Sequence, residues 1–358
     1  MKLPILPSIA LLLTLTACES EEIKMNTIVH PDGSCRREIC FKADSATLVR
    51  GCVDEQSNIM GVLDDAAWTS EVQDTVWVMA HREFSSLDEM TSALPLRIAG
   101  RQVKSKATLE KRFRWFYTDY IYTETFESIA PLFEIPLSKY MDAEMADYWL
   151  TGTPDVFKGY SGMERKEFMD KMEENFIHFV NANILNDVMD VLAEHYDSIP
   201  NPTVDKATFL ARKEALIEQV GKGASDHLSF DAEKLLNESF GSEAYTNALR
   251  DNKTLARIWD ERQETYLSVL TLDVDYQLTL PGGIIKVYES GDGVFRDGEL
   301  HYRLSGLRLL NSSYTIRATS SDKNSWALYA ALAIGIIALI LCGMGLWRVL
   351  KGRKTNEA

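Results

Sequence analysis

The sequence predicts an α+β protein: an antiparallel sheet built from N- and C-terminal strands, a large helical insertion between them, and one transmembrane helix near the C-terminus. Three observations predict it. Short stretches of alternating polarity, separated by turn residues, open the chain and return before its end. Between them, apolar residues recur at three-to-four spacing, the period of a helix. An uncharged apolar run, Trp326–Trp347, then follows at a length suited to ~30 Å of hydrocarbon.

In chain order, residues 1–17 read as a lipoprotein signal peptide: Lys2, an apolar stretch Leu3–Leu15, then Thr16-Ala17 before Cys18. Residues 18–127 form a mainly β part. Lys24–His30 and Ser34–Lys42 are expected strands, joined at Pro31-Asp32-Gly33, whose residues preset turn dihedrals. A further strand is expected over Asp74–Phe84, with Ser85-Ser86-Leu87-Asp88-Glu89 starting a helix. Leu109–Phe126 is an aromatic-rich strand region, with a turn or bulge expected at Thr118-Asp119.

Residues 128–271 are the helical insertion. Glu164–Asp197 places Phe168, Met172, Phe176, Phe179, Ile184 and Val188 on one face. Asp205–Val220, Asp231–Arg250 and Thr254–Leu270 are the other expected helices, separated by Pro200, Pro202 and the Gly221–Ser229 stretch. Residues 272–320 return to strands: Asp273–Leu280, Ile284–Glu289, Glu299–Leu304 and Tyr314–Ala318. Thr319–Ser325 reads as a polar link to the membrane. Insertion is favoured over two sequential domains because each strand set is small for a sheet that must stand alone. Residues 348–358 form a basic tail, and Arg348, Lys351, Arg353 and Lys354 place it in the cytoplasm.

The chain has 358 residues and a formal net charge of −15. Setting aside one positive charge in the signal segment and three net in the tail leaves −19 on the segment between. Such a surface repels nucleic acid, which excludes DNA and RNA as expected partners.

Leu15-Thr16-Ala17-Cys18 resembles a bacterial lipobox. That resemblance implies acylation of Cys18, and several acyl chains anchor stably where one does so marginally. Leu280-Pro281-Gly282-Gly283-Ile284, the turn at Ser290–Gly298, Leu300–Leu304 and Ala318–Asn324 before an apolar helix resemble LppM-type envelope lipoproteins. The likeness covers roughly the last eighty residues and Asp32-Gly33-Ser34, with Tyr302 where tryptophan is usual. It implies an α+β envelope domain and carries no catalytic residue across.

With Cys18 acylated and Cys342 inside the span, Cys35, Cys40 and Cys52 remain in an oxidising compartment. Cys35 and Cys40 lie too far apart along one strand to bridge. A Cys35–Cys52 disulfide fits if Ala43-Asp44 is a tight turn, although it would set Arg37 against Arg50. The six histidines form no metal-ligand pair, and Glu174, His178, Asp187, Asp190 and Glu194 read as the solvated side of a helix, with a metal-binding face as the competing reading. Ser320 and Lys323 have Ser-x-x-Lys spacing, but chance accounts for it better than catalysis. No catalytic, cofactor or metal residue is assigned. Trp115, Tyr117 and Tyr120 are candidate ligand-groove aromatics, with core packing as the competing reading.

The resulting expectation is a non-enzymatic lipoprotein of the bacterial inner membrane. Its periplasmic or extracellular ectodomain binds an envelope protein or an apolar ligand. The alternatives are a hydrolase with its site between sheet and insert, or a structural scaffold.

Overall fold

In a computed structural model, residues 23–42, 67–73, 77–93, 96–98, 101–151, 156–220, 232–287, 293–296 and 299–355 are described. The chain opens with β1 (Ile23–Val29) and β2 (Cys35–Lys42), followed by β3 (Thr69–Gln73) and β4 (Trp77–Phe84). The turn between β1 and β2 forms as its residues dictate. Asp32 accepts from the Ser34 amide at 3.0 Å and hydroxyl at 2.7 Å, and Gly33 takes a φ of 95°. Next come α1 (Leu87–Ala93), β5 (Leu96–Ile98), β6 (Arg101–Val103), β7 (Ser105–Arg114) and β8 (Tyr117–Phe126). Ser86 caps α1 by accepting from the Glu89 amide at 3.2 Å.

The helical part holds α2 (Ala143–Thr151), α3 (Gly162–Glu194), α4 (Lys206–Ala211), α5 (Lys213–Val220), α6 (Ala232–Phe240), α7 (Ala244–Asp251) and α8 (Lys253–Thr271). A capping box starts α3: the Ser161 hydroxyl accepts from the Glu164 amide, and the Glu164 carboxylate from the Ser161 amide. From Phe176 to Ala193 nearly every side chain of α3 is buried, so it is the axis around which the other helices pack. Two stretches expected as single helices are each broken, at Arg212 and at Gly241, where φ is 60°.

After α8 come β9 (Asp273–Thr279), β10 (Ile284–Val287), β11 (Val294–Arg296), β12 (Glu299–Ser305), α9 (Gly306–Asn311), β13 (Tyr314–Lys323) and α10 (Ser325–Thr355). The strands form two main sheets, ordered β11-β12-β9-β1-β2-β4-β3 and β10-β13-β8-β7, with β5 and β6 as a separate pair. Each main sheet joins strands from both ends of the chain around the helical part, as an insertion requires.

Two expectations change. There are two main sheets where one was expected, and the larger is mixed, because β1 and β9 pair in parallel from Ile23↔Val274 to Ile28↔Thr279. A long helical crossover delivers β9 running in the direction of β1, whereas a tight turn could only have delivered an antiparallel neighbour. Pro281-Gly282-Gly283 is correspondingly a corner that carries the chain from β9 in one sheet to β10 in the other. Gly282 is needed there: its φ is 92°, and a Cβ would sit 2.6 Å from the Ser321 carbonyl oxygen.

Between the sheets lies an apolar core with a charged centre. Arg37 and Glu124, 1% and 0% exposed, pair at 2.8 Å. The carboxylate also accepts from the hydroxyls of Tyr276 at 2.6 Å, Tyr122 at 2.7 Å and Ser105 at 3.0 Å, while the Arg37 Nε donates to Thr27 at 3.1 Å. Burial alone would raise the Glu124 carboxyl, but the Arg37 charge and these hydrogen bonds hold it below the usual carboxylate range.

Candidate membrane-proximal site

Thr319–Lys323, expected as a loose link, is instead the second half of β13, and the chain passes from Lys323 through Asn324 directly into α10. The alternation missed there is polar on both faces. Ser320 is buried and donates to the Pro281 carbonyl at 2.5 Å, while Ser321 donates to Asp119 at 2.6 Å. Ser320 and Lys323, three residues apart on a strand, point to opposite faces and do not form a catalytic pair.

The Ser325–Trp347 stretch of helix α10 has 23 residues, and its most apolar 18-residue window has a mean hydropathy of 2.5 and is 6% buried within the fold. At 1.5 Å per residue this stretch is about 35 Å long, enough to cross the hydrocarbon of a bilayer. Its first turn is tied to the tip of the β7–β8 hairpin. The Asn324 amide donates to the Phe116 carbonyl at 2.9 Å, and its side chain donates to the Trp115 carbonyl at 2.9 Å. The Thr118 hydroxyl donates to the Asn324 Oδ1 at 2.9 Å. The Trp326 ring stacks on Phe113, with centroids 6.0 Å apart, and meets Trp115 edge-on at 5.8 Å. Asn324 thus uses one side chain to bind both sides of a turn and orient the helix that follows it.

The aromatic reading is corrected by this geometry. The hairpin turns at Trp115-Phe116, three residues before the expected turn, and Trp115 takes a φ of 37°. Phe113, Trp115, Phe116 and Tyr117 are therefore 40–57% exposed around the tip, whereas Tyr120 is buried between the sheets. Trp115, Tyr117 and Tyr120 do not line one groove. Rings of this kind at the end of an apolar helix match the aromatic belts of membrane interfaces.

The outward face of the smaller sheet is basic. Cross-strand register sets Arg112 with Asp119 and Ser321, and Arg114 with Tyr117 and Lys323. An open groove of about 330 Å³ runs along this face, with Arg112, Arg114 and Arg317 above a floor of Asp119, Thr319 and Ser321. Lys106, Arg112, Arg114, Arg317 and Lys323 share the face with Glu110 and Asp119, and these seven residues sum to three positive charges on a strongly acidic ectodomain. Arg112 pairs with Glu110 at 2.8 Å and Arg114 with Asp119 at 2.5 Å. Arg317 forms no ion pair among the described residues. The groove was missed because its arginines are distant in sequence. The visible signal was Arg112 and Arg114 at the two-residue spacing of one strand face.

The remaining sequence candidates are placed as follows. Cys35 is a buried thiol 3.5 Å from the Met90 sulfur, and burial pushes its pKa up to about 11, which suits packing rather than nucleophilic attack. Along Cys35–Lys42, β2 pairs with β1 on one edge and with β4 on the other. Cys52, Cys18 and the signal segment lie outside the described residues. Asp187 and Asp190 do not form a solvated face. They tie α3 to its neighbours, through Tyr266 at 2.8 Å and Arg262 at 3.4 Å, and through Lys213 at 2.6 Å. Burial, the strongest influence on Asp187, raises its carboxyl.

Fold and site together define a class: an α+β domain from whose smaller sheet an unpacked apolar helix issues without a linker. Comparison with protein-family models, curated proteins and solved structures finds no match to this chain.

Proposed function

We propose that this protein is a membrane-tethered, non-enzymatic lipoprotein of the bacterial envelope, whose ectodomain binds an envelope partner or apolar ligand while held against the membrane. The observation that carries the tether is α10: its apolar stretch has almost no partner in the fold, and exposing that much apolar surface to water would be costly. The basic residues after Trp347 orient it with the tail in the cytoplasm and the ectodomain outside. Acyl chains on Cys18 supply the second anchor. The Asn324 clamp limits swivelling between domain and helix, so the ectodomain presents a fixed face to the bilayer.

The test is fractionation of native membranes with intact-mass analysis. The protein is expected to stay in the pellet after an alkaline carbonate wash and to begin at an acylated Cys18. Release into the supernatant would overturn the span, and unacylated protein starting at Met1 would overturn the lipid anchor.

A further inference from the structure

We infer that the arginine groove on the outward face of the β10-β13-β8-β7 sheet binds the phosphate of an anionic membrane lipid. This inference rests on the proposed span, because α10 is what brings the groove to the headgroups. The occupant follows from position, charge and donor chemistry.

Position comes first. The strand that floors the groove is the strand that becomes the helix. At ~3.3 Å per residue, Lys323 lies no more than about 7 Å from the start of α10, and Ser321 no more than about 13 Å. The headgroup layer is roughly 5–8 Å deep on each side of the hydrocarbon, and surface attraction persists for a further Debye length of ~8–10 Å. Arg114 shares the cross-strand row of Lys323, and Arg112 that of Ser321, so both stand within that range. Arg317, four residues further up β13, stands at about 26 Å along the strand and forms the upper rim.

Charge points the same way. The rest of the ectodomain is acidic and is repelled by an anionic leaflet, yet this face is net positive and is the one beside the helix. The exposed tip of Phe113, Trp115 and Phe116 lies at the same end and supplies the apolar contact that a lipid, unlike a free anion, needs.

Donor chemistry completes the match. A guanidinium has five N–H donors, and Arg112 gives only two of them to Glu110, at 2.8 and 3.2 Å. Both residues of that pair are more than half exposed, at 57% and 56%, so solvent screens their attraction, and three N–H groups of Arg112 remain for a phosphate.

The experiment uses the full chain in detergent, with native mass spectrometry after addition of phosphatidylglycerol or phosphatidylcholine. The wild type is expected to retain phosphatidylglycerol at about thirtyfold lower concentration, as expected for two surface arginines. Arg112→Gln/Arg114→Gln is expected to lose that preference, and Arg112→Lys/Arg114→Lys to keep part of it. Lys158→Gln/Lys166→Gln, two exposed lysines of the helical part, is expected to keep all of it. An equal loss in both glutamine pairs, no preference in the wild type, or displacement of the lipid by equimolar inorganic phosphate would each overturn the inference. A carbonate wash separates the two failures: protein in the pellet without lipid preference sinks the groove alone, whereas protein in the supernatant sinks the span beneath it.

Discussion

Two arginine–carboxylate arrangements, one on each side of the smaller sheet, use the same chemistry for different ends. Arg37 and Glu124 are sealed between the sheets, where Arg37 donates to Thr27 and Glu124 accepts from Tyr122, Tyr276 and Ser105. On the outer face, Arg112 pairs with Glu110 at the surface, while exposed Arg114 reaches a buried Asp119 that also accepts from Ser321. Burial decides the difference. A sealed pair cannot change partners without leaving a bare charge in a low-dielectric core, whereas an exposed pair exchanges its partner for water or an incoming anion at little cost. The first therefore serves to register the two sheets, and the second is available for binding.

The largest effect should come from breaking the sealed pair. Glu124→Ala leaves the Arg37 charge unpaired in the core and is expected to cost about 3–5 kcal/mol in thermal or chemical unfolding. Arg37→Met/Glu124→Leu, which removes both charges, should cost clearly less than the sum of the single changes. A smaller loss for Glu124→Ala than for exposed substitutions would show that the pair does not hold the sheets.

Acid titration probes the same pair. The Glu124 carboxyl is held low in the folded state, so its stabilising contribution is fully present above the ordinary value of 4.5 and is lost as pH falls through the folded value. Unfolding curves should therefore steepen their decline below about pH 4.5 in the wild type. In the Arg37→Met/Glu124→Leu variant that share of the decline should be missing.

Next in size is the clamp. Asn324→Ala removes two side-chain hydrogen bonds, to Trp115 and from Thr118, and should cost about 1–2 kcal/mol. It should also make the Arg114–Tyr117 turn easier to cleave in limited proteolysis, whereas unchanged cleavage would mean the helix does not brace the hairpin.

The smallest effect is expected on the outer face. Arg112→Gln should leave stability within about 1 kcal/mol of the wild type, because its pair with Glu110 is exposed on both sides. A loss as large as that of Glu124→Ala would erase the contrast between the two faces.

Local chemistry was readable in the sequence wherever a few neighbouring residues decide the outcome. Asp32-Gly33, the Ser86 cap, the inward row of α3 and the apolar run of α10 all stand where the residues place them. Pairing was not readable, because it depends on partners far apart in sequence. The parallel match of Ile23–Ile28 with Val274–Thr279 leaves no local mark, and neither does the meeting of Arg37 with Glu124. The β7–β8 turn escaped for another reason. It uses Trp115 at positive φ, a residue type that signals a strand, and it is held there by Asn324 from the far end of the chain. The strand over Thr319–Lys323 escaped because its serines are buried by hydrogen bonding and not by apolar character.

The native thiol of Cys342 gives the most direct test of the tether. It lies on the exposed surface of α10, within the apolar stretch. Treating native membranes with a membrane-impermeant maleimide and mapping the labelled peptides should leave Cys342 unmodified until the protein is denatured in strong detergent. Prompt labelling of Cys342 in intact membranes would mean that α10 meets water, and the tethered reading of the molecule would be wrong.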